Sequence, residues 1–197
     1  LAMRYKVRLR VLSSFEDTDE NSGTLICAEE EIMESKVVNG VASSRDEAKI
    51  TLVTVEDRPG ISAAIFAPLA EAGVNVDMIV QNVAHDNTTD FTFTVHRNDY
   101  NNALQVLQGI AAEMGAREAI GDTNIAKVSI VGVGMRSHAG VASRMFEALA
   151  KENINIQMIS TSEIKVSVVI EEKYLELAVR ALHTAFELDA PAGNTAE

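Results

Sequence analysis

The chain has 197 residues, 47% of them apolar and 23% charged, with 29 acidic against 17 basic side chains and a formal net charge of −12. That balance is globular and excludes wholesale disorder and collagen-like or mucin-like classes. The negative surface repels phosphate backbones and anionic membranes, which argues against nucleic acid and membrane as partners. No apolar run approaches the roughly 20 residues of a membrane span. Leu1 to Arg10 reads as no signal peptide, and a single cysteine, Cys27, excludes an internal disulfide and a cysteine-rich zinc site. The expected compartment is the reduced cytoplasm.

Residues 50–55 are β-branched and alternating, which predicts a strand. Asp57-Arg58-Pro59-Gly60 is a turn and helix start, and Ile61, Ile65 and Leu69 form one apolar stripe of a helix that Gly73 ends. Pro68 removes a backbone bond within that helix and predicts a local bend. Residues 74–82 and 91–96 predict two further strands joined by the polar turn Asp86-Asn87-Thr88-Thr89. Asn98 or Asp99 can cap a second helix whose buried face is Ala103, Leu104, Leu107, Ile110 and Ala111. A weak fourth strand follows at 116–121.

The same order then recurs, with strand 127–133, helix 139–152, strands 155–160 and 164–170, and helix 173–186. Lys49-Ile50-Thr51-Leu52-Val53 matches Lys127-Val128-Ser129-Ile130-Val131 at an offset of 78. After the next loop the offset is 80: Gly60 matches Gly140, Asn75 matches Asn155 and Met78 matches Met158. Two copies of about 80 residues read as a duplicated small domain rather than a solenoid. Each copy follows the strand–helix–strand–strand–helix–strand order of the ferredoxin-like plan, an α+β fold.

The second copy lacks a fourth strand, and the unassigned segment Lys36–Ala42 upstream is expected to cross over and complete its sheet. The first domain would then be inserted into the second. The expected boundaries are a leading segment at 1–35, the crossing strand at 36–45, the domains at 46–125 and 126–188, and a tail at 189–197.

The sequence carries no constellation for catalysis. Gly132-Val133-Gly134 lacks the third glycine of a dinucleotide fingerprint, because that position is Ser137, and there is no phosphate-binding loop of the Walker type. Adjacent Ser137 and His138 fit a turn better than a nucleophile–base pair, which spatial geometry defines. His85, Asp86 and Asp90 fit a solvated hairpin better than a metal site. The turns after each first strand, 57–62 and 135–142, are the positions least like plain core. Their glycines admit close backbone approach, and the free N–H groups of the helices starting there favour a carboxylate. The helix dipole contributes roughly 0.3–1 kcal/mol at an exposed site. Asp57, Asp77 and the carbonyls of strand 76–82 could receive an amino acid's ammonium. A plain turn and cap explains the same residues equally well.

Val55-Glu56-Asp57-Arg58-Pro59-Gly60, with Val74-Asn75-Val76-Asp77-Met78-Ile79-Val80-Gln81-Asn82, resembles an ACT domain, a small amino-acid-sensing module. Residues 127–141, with Asn155-Ile156-Gln157-Met158-Ile159-Ser160-Thr161-Ser162-Glu163-Ile164-Lys165, resemble the carboxy-terminal regulatory region of aspartate kinase. Leu9–Phe15 and Gly23-Thr24-Leu25 are similar to the last stretch of its catalytic domain. The resemblance implies a non-catalytic regulatory part, either a separate β subunit or an excised region. The kinase motifs, with ATP and magnesium, would belong to a catalytic domain outside this chain.

It further implies that end products bind between ACT units of two chains and feedback-inhibit the aspartate pathway, so the implied partners are threonine or lysine, a second copy and a catalytic aspartate kinase subunit. A threonine-type pocket would use Asp57, Gly60, Ile61, Ser62, Gln81 and Asn82, faced by Asn155 and Ile156 of the other chain. A second pocket, for which lysine is the candidate, would use Met135, Ser137, Gly140, Val141, Ala142, Ser162 and Glu163, faced by Asn75, Val76 and Asp77. The second loop is two residues longer and has Met135 where the first has Asp57, so the pockets are not equivalent. The alternatives are a purely structural ACT assembly module and a regulatory fragment sensing another amino acid.

Overall fold

The computed structural model of the chain describes Tyr5 and residues 7–15, 23–26, 37–83, 87–136 and 138–188. Cys27, His85, Asp86, Ser137 and the expected tail at 189–197 lie outside the described residues. The chain divides into two compact units, Leu1–Val37 and Val38–Glu197. In the first, β1 (Leu9–Val11) and β2 (Thr24–Ile26) pair antiparallel, with Leu9 opposite Ile26. Their apolar side chains are exposed, as is Phe15.

The second unit runs β3 (Gly40–Glu56), α1 (Ile61–Glu71), β4 (Val76–Val83), β5 (Thr88–His96), α2 (Tyr100–Ile110), β6 (Glu118–Val131), α3 (Val141–Lys151), β7 (Met158–Thr161), β8 (Lys165–Glu171) and α4 (Leu175–Ala185). The strands form a single sheet in the order β4-β5-β3-β6-β8-β7, antiparallel throughout. The α+β, twice ferredoxin-like reading with one domain inserted into the other holds, with one difference in how the sheets meet. Gly40–Ser44 pairs with Val131–Lys127 and supplies the second copy's fourth strand. It is no separate element, because it continues into the first strand of copy one as the 17-residue β3. Likewise the fourth strand of copy one, pairing Gly121 with Ile50, continues into the first strand of copy two as β6. Two expected sheets are therefore one, and the register of β3 against β6 shifts between Ser44 and Lys49, where the chain passes from one domain to the other.

Alternation decides the two faces. Ala48, Ile50 and Leu52 of β3 turn toward α1 and α2 and are buried with Phe91, Phe93, Ile65, Leu69 and Leu107 in one core. In the second copy Val128, Ile130, Val168 and Ile170 are buried, as are Met145 and Leu149 of α3 and Ala178 and Leu182 of α4. Glu47, Lys49 and Thr51 have the opposite parity and face away from the helices. So do Ile125, Lys127 and Ser129 of β6. Edge strands β4 and β7 touch although four strands separate them in the sheet. The sheet therefore curls, and its inner face closes on a small second core of Met78, Ile125, Met158 and Val169. No helix among the described residues is long and apolar enough to cross a membrane.

Several local expectations shift. The third strand of copy one begins at Thr88 rather than Phe91, because Thr89 is fully buried and its hydroxyl donates to the Asn82 carbonyl (3.2 Å). Asp99 stands at the N-cap of α2 but makes no capping bond, and the His96 ring instead accepts from the Asn98 N–H (3.2 Å). Only Ala103 and Leu107 of the expected α2 face are fully buried. Helix α1 contains Pro68, as expected, and ends at Glu71, with the Pro68 carbonyl accepting from the Ala72 N–H (3.0 Å).

Gly121 leaves room for Tyr100 where α2 meets the sheet: a Cβ there would fall 2.1 Å from the Tyr100 hydroxyl oxygen and 2.4 Å from its ring. Gly121→Ala is expected to displace Tyr100 and destabilise the protein by about 1–3 kcal/mol, the usual cost of overpacking. Urea denaturation checks this, and a Tyr100→Ala/Gly121→Ala pair should be less than additive.

Candidate functional site

Each domain presents the same construction at the end of its first strand. In copy one the chain leaves β3 at Glu56, turns through Asp57-Arg58-Pro59, and enters α1 from Gly60 at φ +89°. In copy two α3 starts from Gly140 at φ +90°. A Cβ at either glycine would meet nothing within 4 Å, so the left-handed backbone, not crowding, is what demands glycine. Neither helix has a side-chain cap. The first intrahelical bonds are from the Ala64 N–H to the Gly60 carbonyl and from the Arg144 N–H to the Gly140 carbonyl, both 3.0 Å. The amides of Ser62 and Ala63, and of Ala142 and Ser143, thus have no acceptor within their helices and point outward with the positive end of the dipole.

Long-range bonds fix both turns. The Asp57 N–H donates to the Asn87 carbonyl (2.9 Å), tying the first turn to the β4–β5 hairpin beside Gln81 and Asn82. Thr54 just before it lies at φ +58°, a left-handed conformation rare for a β-branched residue, and its N–H donates to Asp90 Oδ1 (2.7 Å). Asp90, read from sequence as a solvated hairpin residue, is the group that holds this bulge. In copy two the Gly132 N–H donates to the Ile164 carbonyl (2.9 Å), tying the loop to the turn that carries Ser162 and Glu163. The two extra residues of that loop fall around a short 3-10 helix, Val133–Arg136, with a His138 Nδ1 contact to the Gly134 carbonyl (2.8 Å).

Asp57, Gly60, Ile61, Ser62, Gln81 and Asn82 therefore gather at one end of the sheet. All but Ile61 are exposed. Met135, Gly140, Val141 and Ala142 gather with Ser162 and Glu163 at the opposite end, since β3 and β6 are antiparallel. The expected facing residues do not join them within one chain. Asn155 and Ile156 precede Gln157, whose side chain accepts from Lys49 Nζ. Lys49 lies seven residues before Glu56, roughly 23 Å of strand. Asn75, Val76 and Asp77 likewise sit mid-molecule, where the Asp77 carboxylate accepts from Lys127 Nζ.

Sequence reasoning missed this polar centre. Lys127 Nζ also pairs with Glu47 at 2.6 Å, and the Lys127 and Glu47 side chains are only 19% and 9% exposed. Burial by itself would push the Lys127 ammonium down. Asp77 and Glu47 reverse that and hold it above the ordinary lysine value of 10.5. The signal available in the sequence was a lysine opening the matched segments 49–53 and 127–131 of the two repeats.

Residues 49–112 match the ACT domain family, and residues 128–186 match a second ACT domain model. An aspartate kinase of Stutzerimonas stutzeri (strain A1501) is 80% identical over 197 residues, which is all of this chain and 47% of that protein. The chain thus spans about half the length of the curated relatives it matches. The regulatory subunit of aspartate kinase from Thermus thermophilus, solved ligand-free, is 47% identical with a TM-score of 0.73, over 77% of this chain and 99% of that one. A crystal structure of aspartokinase alpha and beta subunits matches at 52% identity and TM-score 0.73, again over 77% and 99%. With two ACT domains in one continuous sheet and a regulatory subunit matched almost end to end, the chain belongs to the aspartate kinase family as its regulatory region.

Proposed function

We propose that this region binds an end-product amino acid, threonine or lysine, at interfaces between ACT domains of two copies. Binding would restrain the catalytic part of aspartate kinase, in feedback control of the aspartate-family pathway in the cytoplasm. The observation that carries this is the repeated glycine-led helix start, whose outward amides suit a carboxylate while Asp57 at the first turn suits an ammonium. Asp57, Gly60, Ser62, Gln81 and Asn82 would form most of one pocket, with Asn155 and Ile156 supplied by the other copy. The second would use Met135, Ser137, Gly140, Val141, Ala142, Ser162 and Glu163, with Asn75, Val76 and Asp77 opposite.

A second copy is supported by the edge strands. Ile79 on β4 and Ile159 on β7 are equivalent in the repeat, and both are exposed, by 51% and 43%. Apolar side chains left exposed on edge strands invite association. The relative solved with alpha and beta subunits supports a catalytic partner, which would carry ATP and magnesium. Control is then a population shift, since an effector acts only through its difference in affinity for the active and inactive arrangements, typically about 1–3 kcal/mol of coupling.

Calorimetry with threonine and with lysine, paired with light scattering, tests the reading. One of them should release heat and raise the mass toward that of a dimer. Asp57→Ala should weaken binding roughly tenfold or more while leaving the denaturation midpoint in place. Heat from neither amino acid at millimolar concentration (about 1–10 mM, enough to fill a site with a Kd of about 1 mM or tighter) would favour the purely structural assembly module or a region sensing another amino acid.

A further inference from the structure

We infer that Lys49 and Lys127 are positioning residues, each reaching from the first strand of one repeat to anchor the segment that opens the second strand of the other. The two lysines are equivalent at the offset of 78, and their acceptors, Gln157 and Asp77, are equivalent at the offset of 80. Lys127 of copy two holds Asp77 of copy one, and Lys49 of copy one holds Gln157 of copy two. The exchange is reciprocal and lies on the inner face of the curled sheet, beside the small core that holds Met78 and Met158. Paired hydroxyls two residues further along repeat the symmetry, Thr51 with Thr92 (3.0 Å) and Ser129 with Ser167 (2.7 Å).

The anchors are unequal in chemistry. Lys127 meets two carboxylates, Asp77 and Glu47. The counterpart of Glu47 in the second repeat is Ile125, and Lys49 meets a neutral amide. Both bonds have a cationic donor, but Lys127 adds the attraction of two carboxylates where Lys49 faces only an amide dipole. The 75–77 segment is therefore held by a half-exposed ion pair, and the 155–157 segment by a single bond to a neutral acceptor. Because the proposed function sets these segments against effectors, the pocket faced by 155–156 would be the more adaptable and that faced by 75–77 the more preformed. This last consequence alone rests on that function.

Residue-resolved hydrogen exchange on the full 197-residue chain without any amino acid tests the anchors. The reporters are the Met78 amide, which donates to Thr94 Oγ1 (3.3 Å), and the Gln157 amide, which donates to the Val169 carbonyl (2.8 Å). Lys127→Met should speed exchange at Met78 about tenfold and change Gln157 by less than about twofold. Lys49→Met should do the reverse with a smaller factor. Lys127→Arg should restore most of the protection. Gln157→Glu, which gives Lys49 a carboxylate and leaves Lys127 with both of its own, should slow exchange at the amide of residue 157 severalfold.

Unchanged exchange at Met78 in Lys127→Met, equal acceleration across the whole sheet, or no slowing in Gln157→Glu would overturn the inference. Titration of threonine and lysine into the same variants separates it from the sensor reading. With the expected exchange pattern, no heat from the unaltered chain removes the threonine and lysine sensor and supports the anchors. Heat accompanied by the wrong exchange pattern removes the anchors and keeps the sensor.

Discussion

Phe93→Ala is expected to destabilise the protein by about 3–5 kcal/mol, the range for truncating a fully buried phenylalanine. Phe93 is fully buried on β5, and the Phe66 ring of α1 packs edge-on against it with centroids 5.2 Å apart. Phe66 also meets Phe91 edge-on at 6.2 Å. Removing one ring deletes apolar burial, leaves a cavity that the sheet cannot collapse, and forfeits an aromatic pair worth about 0.5–1.5 kcal/mol. The loss falls on the seat of α1, whose amino end forms the candidate pocket. Urea denaturation should show a lower midpoint at unchanged slope. Any effector that releases heat with the parent should bind the variant more weakly at temperatures where both are folded. A stability loss under about 1 kcal/mol would mean that Phe66 and its neighbours refill the space.

Lys127→Met is the second large effect, at about 3 kcal/mol, the low end of what breaking a buried ion pair costs. Methionine fills the space of the lysine stem but leaves Glu47, with a side chain only 9% exposed, without its ammonium partner. The size is kept low because Asp77 is half exposed and water can take over there. The pH dependence has a definite sign. Lys127 in the folded protein titrates above the ordinary value of 10.5. A raised lysine contributes its stability in full below the unfolded value and loses it as the pH climbs through the folded one. The difference between parent and variant should stay constant from about pH 7 to pH 10 and narrow at more alkaline pH. A difference that narrowed on the acid side alone would assign the effect to the carboxylates instead of the lysine.

Much of the fold was legible because periodicity reports burial directly. Ile61, Ile65 and Leu69 mark the buried stripe of α1 at the spacing of a helix. The left-handed residues before α1 and α3 were legible as glycines, because only glycine takes φ near +90° without strain. The missing fourth strand of the second copy was legible by subtraction, since a ferredoxin-like unit needs one and a single unassigned apolar segment was left.

The joining of the two sheets was not legible. Two strands meeting end to end and two strands in separate sheets have the same alternation, and only the register of β3 against β6 tells them apart. Asp90 was read as hairpin surface because its partner is a backbone N–H made available by a bulge, and no side-chain pattern announces a bulge.

By itself the sequence determined the duplicated domain, the helix faces and the glycine-led turns, all properties of residues near one another in the chain. The tertiary structure decided that β3 and β6 run through both domains and join them in one sheet, and that the two turns lie at opposite ends of it. It also decided that Asp77, which looks from sequence like an acceptor for a ligand's ammonium, is held by Lys127 fifty residues away. The physical reason is distance along the chain. Ion pairs and strand partners between remote residues depend on how the sheet curls, and that curl is set by the packing of the whole unit.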